Sequence, residues 1–204
     1  MPLVMKRVKA VQEMRSSSND AGARKKAETP TLFREQRNPA EYIAIPITSS
    51  QQRKYIPMGY LGSDTIPGNT LFIIENASLY HFGVLTSNVH MAWMKTVGAR
   101  MKSDYRYSKD IVYNNFPWPN PTDAQKAAIE KTAQAILDAR ALYPDSSLAD
   151  LYDELAMPPE LRKAHQDNDR AVMDAYGFVK GHPARTSESQ CVAELMKLYQ
   201  ALCP

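Results

Sequence analysis

The chain has 204 residues, enough for one ordinary domain or two small ones, and its 44% hydrophobic and 23% charged content is that of a globular chain, not a disordered one. No apolar run is long enough to span a membrane, and Met1 is followed by Pro2 and a basic, polar stretch with no apolar signal core; export is not expected, and a cytoplasmic location is. The net charge of +3 is unevenly spread: residues 1–37 carry +5, residues 38–119 carry +2 and residues 120–204 carry −4, so a polyanionic partner is expected for the front of the chain only.

In chain order, residues 1–15 are expected to form a short basic helix in which Met5, Val8 and Val11 make a partial apolar stripe. Ser16 to Lys26 reads as a mobile loop ending in Arg24, Lys25 and Lys26, whose charges suit either phosphate contact or a solvated loop. From Glu41 to Thr86 the pattern is of short strands. Tyr42 to Ile45, Tyr55 to Tyr60, Thr70 to Ile74 and Leu79 to Leu85 are β-rich, separated by turn material at Thr48-Ser49-Ser50, Gly62-Ser63-Asp64 and Pro67-Gly68-Asn69. A helix follows, capped by Ser87, with His90, Trp93, Met94, Val97 and Met101 at helical spacing; His90 reads as a packed histidine, not a ligand. Lys102 to Pro119 is expected to be irregular or extended, because each proline of Phe116-Pro117-Trp118-Pro119 disfavours helix in the residue before it.

Beyond Pro119 everything reads as helix. Thr122 with Gln125 fits a capping box ahead of the stripe Ile129, Ala133, Ile136, Leu137. Leu148 to Leu155 makes a shorter helix. Pro158-Pro159-Glu160 opens a third, with Leu161, Ala164, His165, Asn168, Val172 and Tyr176 on one face and Gly177 as its stop. A fourth begins near Ser187. The expected fold class is therefore α+β: a strand-rich mixed domain over residues 1–119, followed by a small all-α domain over 120–204.

Catalytic spacing is missing. There is no glycine-rich phosphate loop, no H-E-x-x-H and no G-x-S-x-G. Asn114-Asn115-Phe116-Pro117 lacks the order of the Asn-Pro-Pro-aromatic loop of amino-methyltransferases and reads as a structural turn. Cys191 and Cys203, with four scattered histidines, do not make a zinc site and read as reduced thiols on one helix. The acidic cluster Asp150, Asp153 and Glu154 reads as a solvated helix face. The densest polar-aromatic segment is Arg100 to Lys109. Arg and Lys can reach phosphates or guanine, and an acid can accept from cytosine. In an extended segment, alternation would put Lys102, Asp104 and Arg106 on one face and Ser103, Tyr105 and Tyr107 on the other. An exposed hairpin with incidental ion pairs is the alternative.

This segment also carries a resemblance. Leu79 to Ser87, Lys102 to Lys109 and Val112 to Pro119 resemble the target recognition domain of MmeI-like (type IIL) restriction–modification enzymes. Leu148 to Tyr152, Met157 to His165 and Asp169-Arg170 are similar to that family's C-terminal domain. The resemblance implies a parent polypeptide several times longer. An S-adenosylmethionine-dependent adenine-N6 methyltransferase domain, and often a nuclease, would precede Met1. It implies that this chain holds no catalytic residue, metal or cofactor of its own, and that its partners are duplex DNA and the methyltransferase domain. The base-reading positions it implies are Lys102, Asp104 and Arg106, together with Asn69 and Thr70 in the turn before a strand. Arg24, Lys25, Lys26, Arg53, Lys54, Arg100 and Lys109 are the expected DNA-backbone contacts. A different class of function stays open beside this one: a scaffold whose acidic helices dock another protein.

Overall fold

The computed structural model describes residues 1–34 and 38–202; the expectation for Cys203 lies outside them. By packing, the chain divides into Met1–Asn38 and Pro39–Pro204.

The first unit is built from α1 (Pro2–Ser16), which starts with a proline in its first turn, and α2 (Ala21–Lys25). The basic helix is as expected. The loop expected from Ser16 to Lys26 is corrected: Asp20 accepts from Gly22 N at 2.7 Å and Ala23 N at 3.3 Å and so starts α2. The Arg34 guanidinium, 2.6 Å from the same carboxylate, holds its pKa below the usual range together with those backbone donors. Arg15 donates to the carbonyls of Lys26, Thr29 and Leu32 and ties the following loop to α1. Among the described residues of this unit only Ala27 is buried, so polar contacts hold it together.

The second unit is mixed α+β, with two three-stranded antiparallel sheets. β1 (Glu41–Pro46) lies between β3 (Gly59–Gly62) and β4 (Leu71–Glu75). As the central strand it is buried from Tyr42 to Ile45. β6 (Asp104–Arg106) lies between β2 (Thr48–Ser49) and β5 (Ala99–Met101). Ile47, between β1 and β2, joins the sheets: its N–H donates to the Thr70 carbonyl at 3.1 Å, and its carbonyl accepts from Tyr107 N at 2.8 Å. The strand expected from Tyr55 to Tyr60 begins only at Gly59. Pro57 has no N–H to give a ladder, so Tyr55 and Ile56 are buried as loop residues instead.

The strand expected over Leu79 to Leu85 is a helix, α3 (Leu79–Leu85). Ser78 N donates to His81 Nδ1 at 3.2 Å to start it, and Phe82, Gly83, Val84 and Leu85 are buried. Gly83 is there for contact. A Cβ on it would sit 2.6 Å from Ile129 Cγ2 and 3.0 Å from Asn168 Oδ1, and Asn168 Nδ2 donates to the Gly83 carbonyl at 2.8 Å. Close packing here outweighs the roughly 1 kcal/mol that glycine costs within a helix. α4 (Asn88–Val97) follows, with Ser87 Oγ accepting from His90 N as its cap.

From Asp123 onward the described residues hold no strand. α5 (Asp123–Ala141) begins at the expected capping box: Gln125 N donates to Thr122 Oγ1 and Thr122 N to Gln125 Oε1. α6 (Leu148–Leu151), α7 (Pro159–Ala175) and α8 (Glu188–Leu202) complete the unit, and Gly177, at φ +76°, follows the end of α7. The core is continuous from Ile43 to Leu195. The change of pattern at Pro119 is thus a change of secondary structure within one packed unit, because α3 and α4 bury their faces against α5 and α7.

A buried polar cluster fastens the strand-rich part of this unit to its helices. Asp169 of α7 accepts from Tyr55 OH at 2.7 Å and from Asn88 N at 2.8 Å. Burial raises its carboxyl to about 6 against those two donors. Arg140 of α5 donates to the Met58 carbonyl at 2.8 Å and through Nε to Tyr152 OH at 3.0 Å. The Tyr152 phenol lies 2.6 Å from His165 Nε2. With Arg140 as its donor, the phenol gives its own proton to Nε2, so His165 carries its proton on Nδ1.

Candidate nucleic-acid interface

The candidate readers stand on the second sheet and beside it. β5 and β6 form a hairpin closed by the pair Met101–Asp104, so Lys102 and Ser103 are its two-residue turn. Lys102 has φ +57°. This corrects the expectation of an extended segment. The chain reverses at Lys102, which stands at the tip, while Asp104 and Arg106 keep the shared face that strand alternation gives them. The hairpin given as the alternative is the one formed, although nothing in Lys-Ser resembles the Asn-Gly or Gly-X turns that would have placed its reversal.

The two faces of this sheet differ sharply. Ser49, Tyr105 and Tyr107 are buried on one side. Thr48, Ala99 and Arg106, cross-strand neighbours, are exposed on the other, with Met101 and Asp104 beside them. Arg100 lies over the Tyr105 ring, 4.1 Å from its centroid, and donates to the Ser103 carbonyl at 3.2 Å, bracing the turn. Gln51 N donates to Asp104 Oδ1 at 3.3 Å, and among the described residues the other carboxylate oxygen makes no hydrogen bond.

Asn69 and Thr70 are exposed in the turn before β4, as expected. The structure brings them toward the hairpin through one residue, since Ile47 is bonded to Thr70 on one side and to Tyr107, next to Arg106, on the other. Among the described residues, Lys102, Arg106, Asn69 and Thr70 make no side-chain hydrogen bond or ion pair, so their donors and acceptors are available to a ligand.

The expected backbone contacts divide. Lys25 is exposed. Arg24 donates to the Ser18 carbonyl at 2.8 Å, Arg53 lies 3.5 Å from the Ala149 carbonyl, and Lys109 pairs with Asp110 at 3.6 Å. Lys54 lies 5.6 Å from the Tyr55 ring centroid, and Lys26 is half-buried. Arg24, Lys25 and Lys26 belong to the first unit, the others to the second.

His90 is a packed residue. Its Nε2 lies 2.9 Å from Tyr107 OH, and full burial pushes its pKa down to about 3. Asp150 caps α6 through Ser147, and Glu154 pairs with Arg162 at 2.8 Å, which accounts for two of the three clustered acids. Cys191 is buried, and burial raises its thiol to about 12, away from reactivity. Sequence reasoning placed Met101 on the helical stripe, which is corrected because α4 ends at Val97 and Met101 lies in β5 opposite Asp104, and it overlooked Gln51. Knowledge of the two-residue turn would have placed Met101 opposite Asp104.

An antiparallel sheet with one face built into the core and the other offering exposed basic and acidic side chains has the form of a surface-reading module. Residues 1–120 match the MmeI target recognition domain, and residues 121–204 match the MmeI C-terminal domain. The chain belongs to the family of the MmeI recognition and C-terminal domains. It is 39% identical over 202 residues to DNA methyltransferase A of Bacillus subtilis (strain 168), covering 98% of this chain and 22% of that protein. It also superimposes on the type IIL restriction–modification enzyme MmeI, solved in complex with DNA, with a TM-score of 0.86 and 44% identity over 98% of this chain and 26% of that one. The chain thus spans about a quarter of each relative's length.

Proposed function

We propose that this chain reads DNA sequence for a larger S-adenosylmethionine-dependent adenine-N6 DNA methyltransferase of restriction–modification type. Residues 1–119 serve as the recognition part and residues 120–204 as a helical support. The partners are duplex DNA and the methyltransferase domain of a longer, cytoplasmic polypeptide. S-adenosylmethionine belongs to that domain; this chain supplies no catalytic group. The similarity to a DNA methyltransferase and to a DNA-bound restriction–modification enzyme supports the reading. No helix among the described residues is long and apolar enough to cross a membrane, which accords with it.

The observation that carries the proposal is the open hairpin face. Lys102 at the tip and Asp104 at the first strand position reach one base pair from the same end of the hairpin. Lysine donates to guanine O6 and N7, and the free carboxylate oxygen accepts from cytosine N4. A reversed pair sets lysine against a donor and aspartate against acceptors, at roughly 1–3 kcal/mol per wrong contact. Arg106, on the Asp104 face, takes a neighbouring base or phosphate. A mere surface ion pair would contribute at most about 1 kcal/mol and would not select sequence. The test exchanges the roles, Lys102→Glu with Asp104→Arg, and selects bound duplexes from a randomised library at low salt. One base pair of the consensus should invert while the others hold. An unchanged consensus, or uniform weakening, removes these residues as readers.

A further inference from the structure

We propose that Met101 reads a thymine through its C5-methyl group, at the base pair next to the one contacted by Asp104; the inference rests on the DNA-reading function proposed above. Met101 is 44% exposed and is the cross-strand partner of Asp104, the pair that closes the hairpin turn. Paired residues of an antiparallel ladder carry their side chains on the same face with Cβ atoms roughly 5 Å apart. Successive bases are spaced about 3.4 Å along a strand. A methionine beside the aspartate therefore falls about one base step away when the open face lies in the major groove.

The chemistry of that face favours a methyl group as the target. Lys102, Asp104 and Arg106 can be satisfied only by hydrogen-bonding base edges or phosphates. Met101, with Ala99 on the same strand and face, offers only apolar surface. In the major groove the one apolar group a base presents is the thymine C5-methyl. A flexible, polarisable thioether adapts to such a contact without demanding one rotamer. Scattered surface methionines are ordinary; this one is set apart by its position beside groups that read polar edges.

The experiment uses the 204-residue chain. Duplexes selected from a randomised library give the consensus, and each thymine in it is then replaced by uracil, which removes only the methyl group. One position should lose about three- to fourfold in affinity, the change expected for burying one methyl. In Met101→Ala that dependence should vanish, while discrimination at the base pair read by Lys102 and Asp104 is kept. Met101→Leu should retain most of it. The residue is exposed, so both variants should melt like the parent chain. A consensus with no methyl-sensitive thymine overturns the inference and leaves the reading function standing, as does sensitivity that survives Met101→Ala. A library that yields no consensus overturns both.

Discussion

Lys102 occupies a backbone conformation that suits glycine. With φ +57° at the first position of a two-residue turn, it costs roughly 1–2 kcal/mol relative to a residue without a Cβ. Its side chain makes no contact among the described residues that would repay this. Strain of that kind gathers where a side chain is needed for binding. Lys102→Gly is therefore expected to melt at the same temperature or slightly higher, and to lose discrimination at one base pair. Lower stability together with unchanged selectivity would contradict a binding role. The conformation of this residue was not legible in the sequence, because the turn carries no glycine, asparagine or aspartate to announce it.

At the scale of elements, the helices from Asp123 onward were legible because their signals are local: the Thr122 box, the Pro158-Pro159 start and the stripe of α7. The error at Leu79 to Leu85 was of another kind. A short apolar run fits either period, and α3 is decided by packing against α5 and α7, which lies far away in sequence. Gly83 marks that contact. Gly83→Ala improves local helix propensity yet places a Cβ 2.6 Å from Ile129 Cγ2. We expect a net loss of about 1–3 kcal/mol, read as a lower urea midpoint. A gain would show that α3 moves freely against α5.

For the whole molecule, two buried histidines set the response to acid. His90 is pushed down to about 3 and His165 well below its usual value, both chiefly by burial. Below about pH 6.5 the unfolded chain binds protons that the native histidines refuse, in the case of His90 down to about pH 3, so stability falls as pH falls. Asp169 acts in the opposite sense. Raised to about 6, it holds a proton in the folded state between about pH 4 and 6 that the unfolded carboxylate releases, which adds stability on acidification. Two groups oppose one, and the urea midpoint is expected to drop steadily from pH 7 to pH 4; a midpoint that rises would mean Asp169 dominates. Charge governs binding at this scale too. With +5 in residues 1–37 and −4 in residues 120–204, affinity for duplex DNA should decline steeply between low and physiological salt in an anisotropy titration. Salt-independent binding would exclude phosphate contact as its source.

Ile47 is a splice. Its backbone N–H and C=O tie the Asn69-Thr70 turn and Tyr107, next to Arg106, to one residue. Substitutions at the exposed tips leave that tie untouched. An insertion or deletion of one residue between Pro46 and Thr48 is another matter, because strand alternation would turn β2 over, sending Ser49 outward and Thr48 toward the core. The exposed side chains are thus free to vary while the spacing between them stays cast in the backbone.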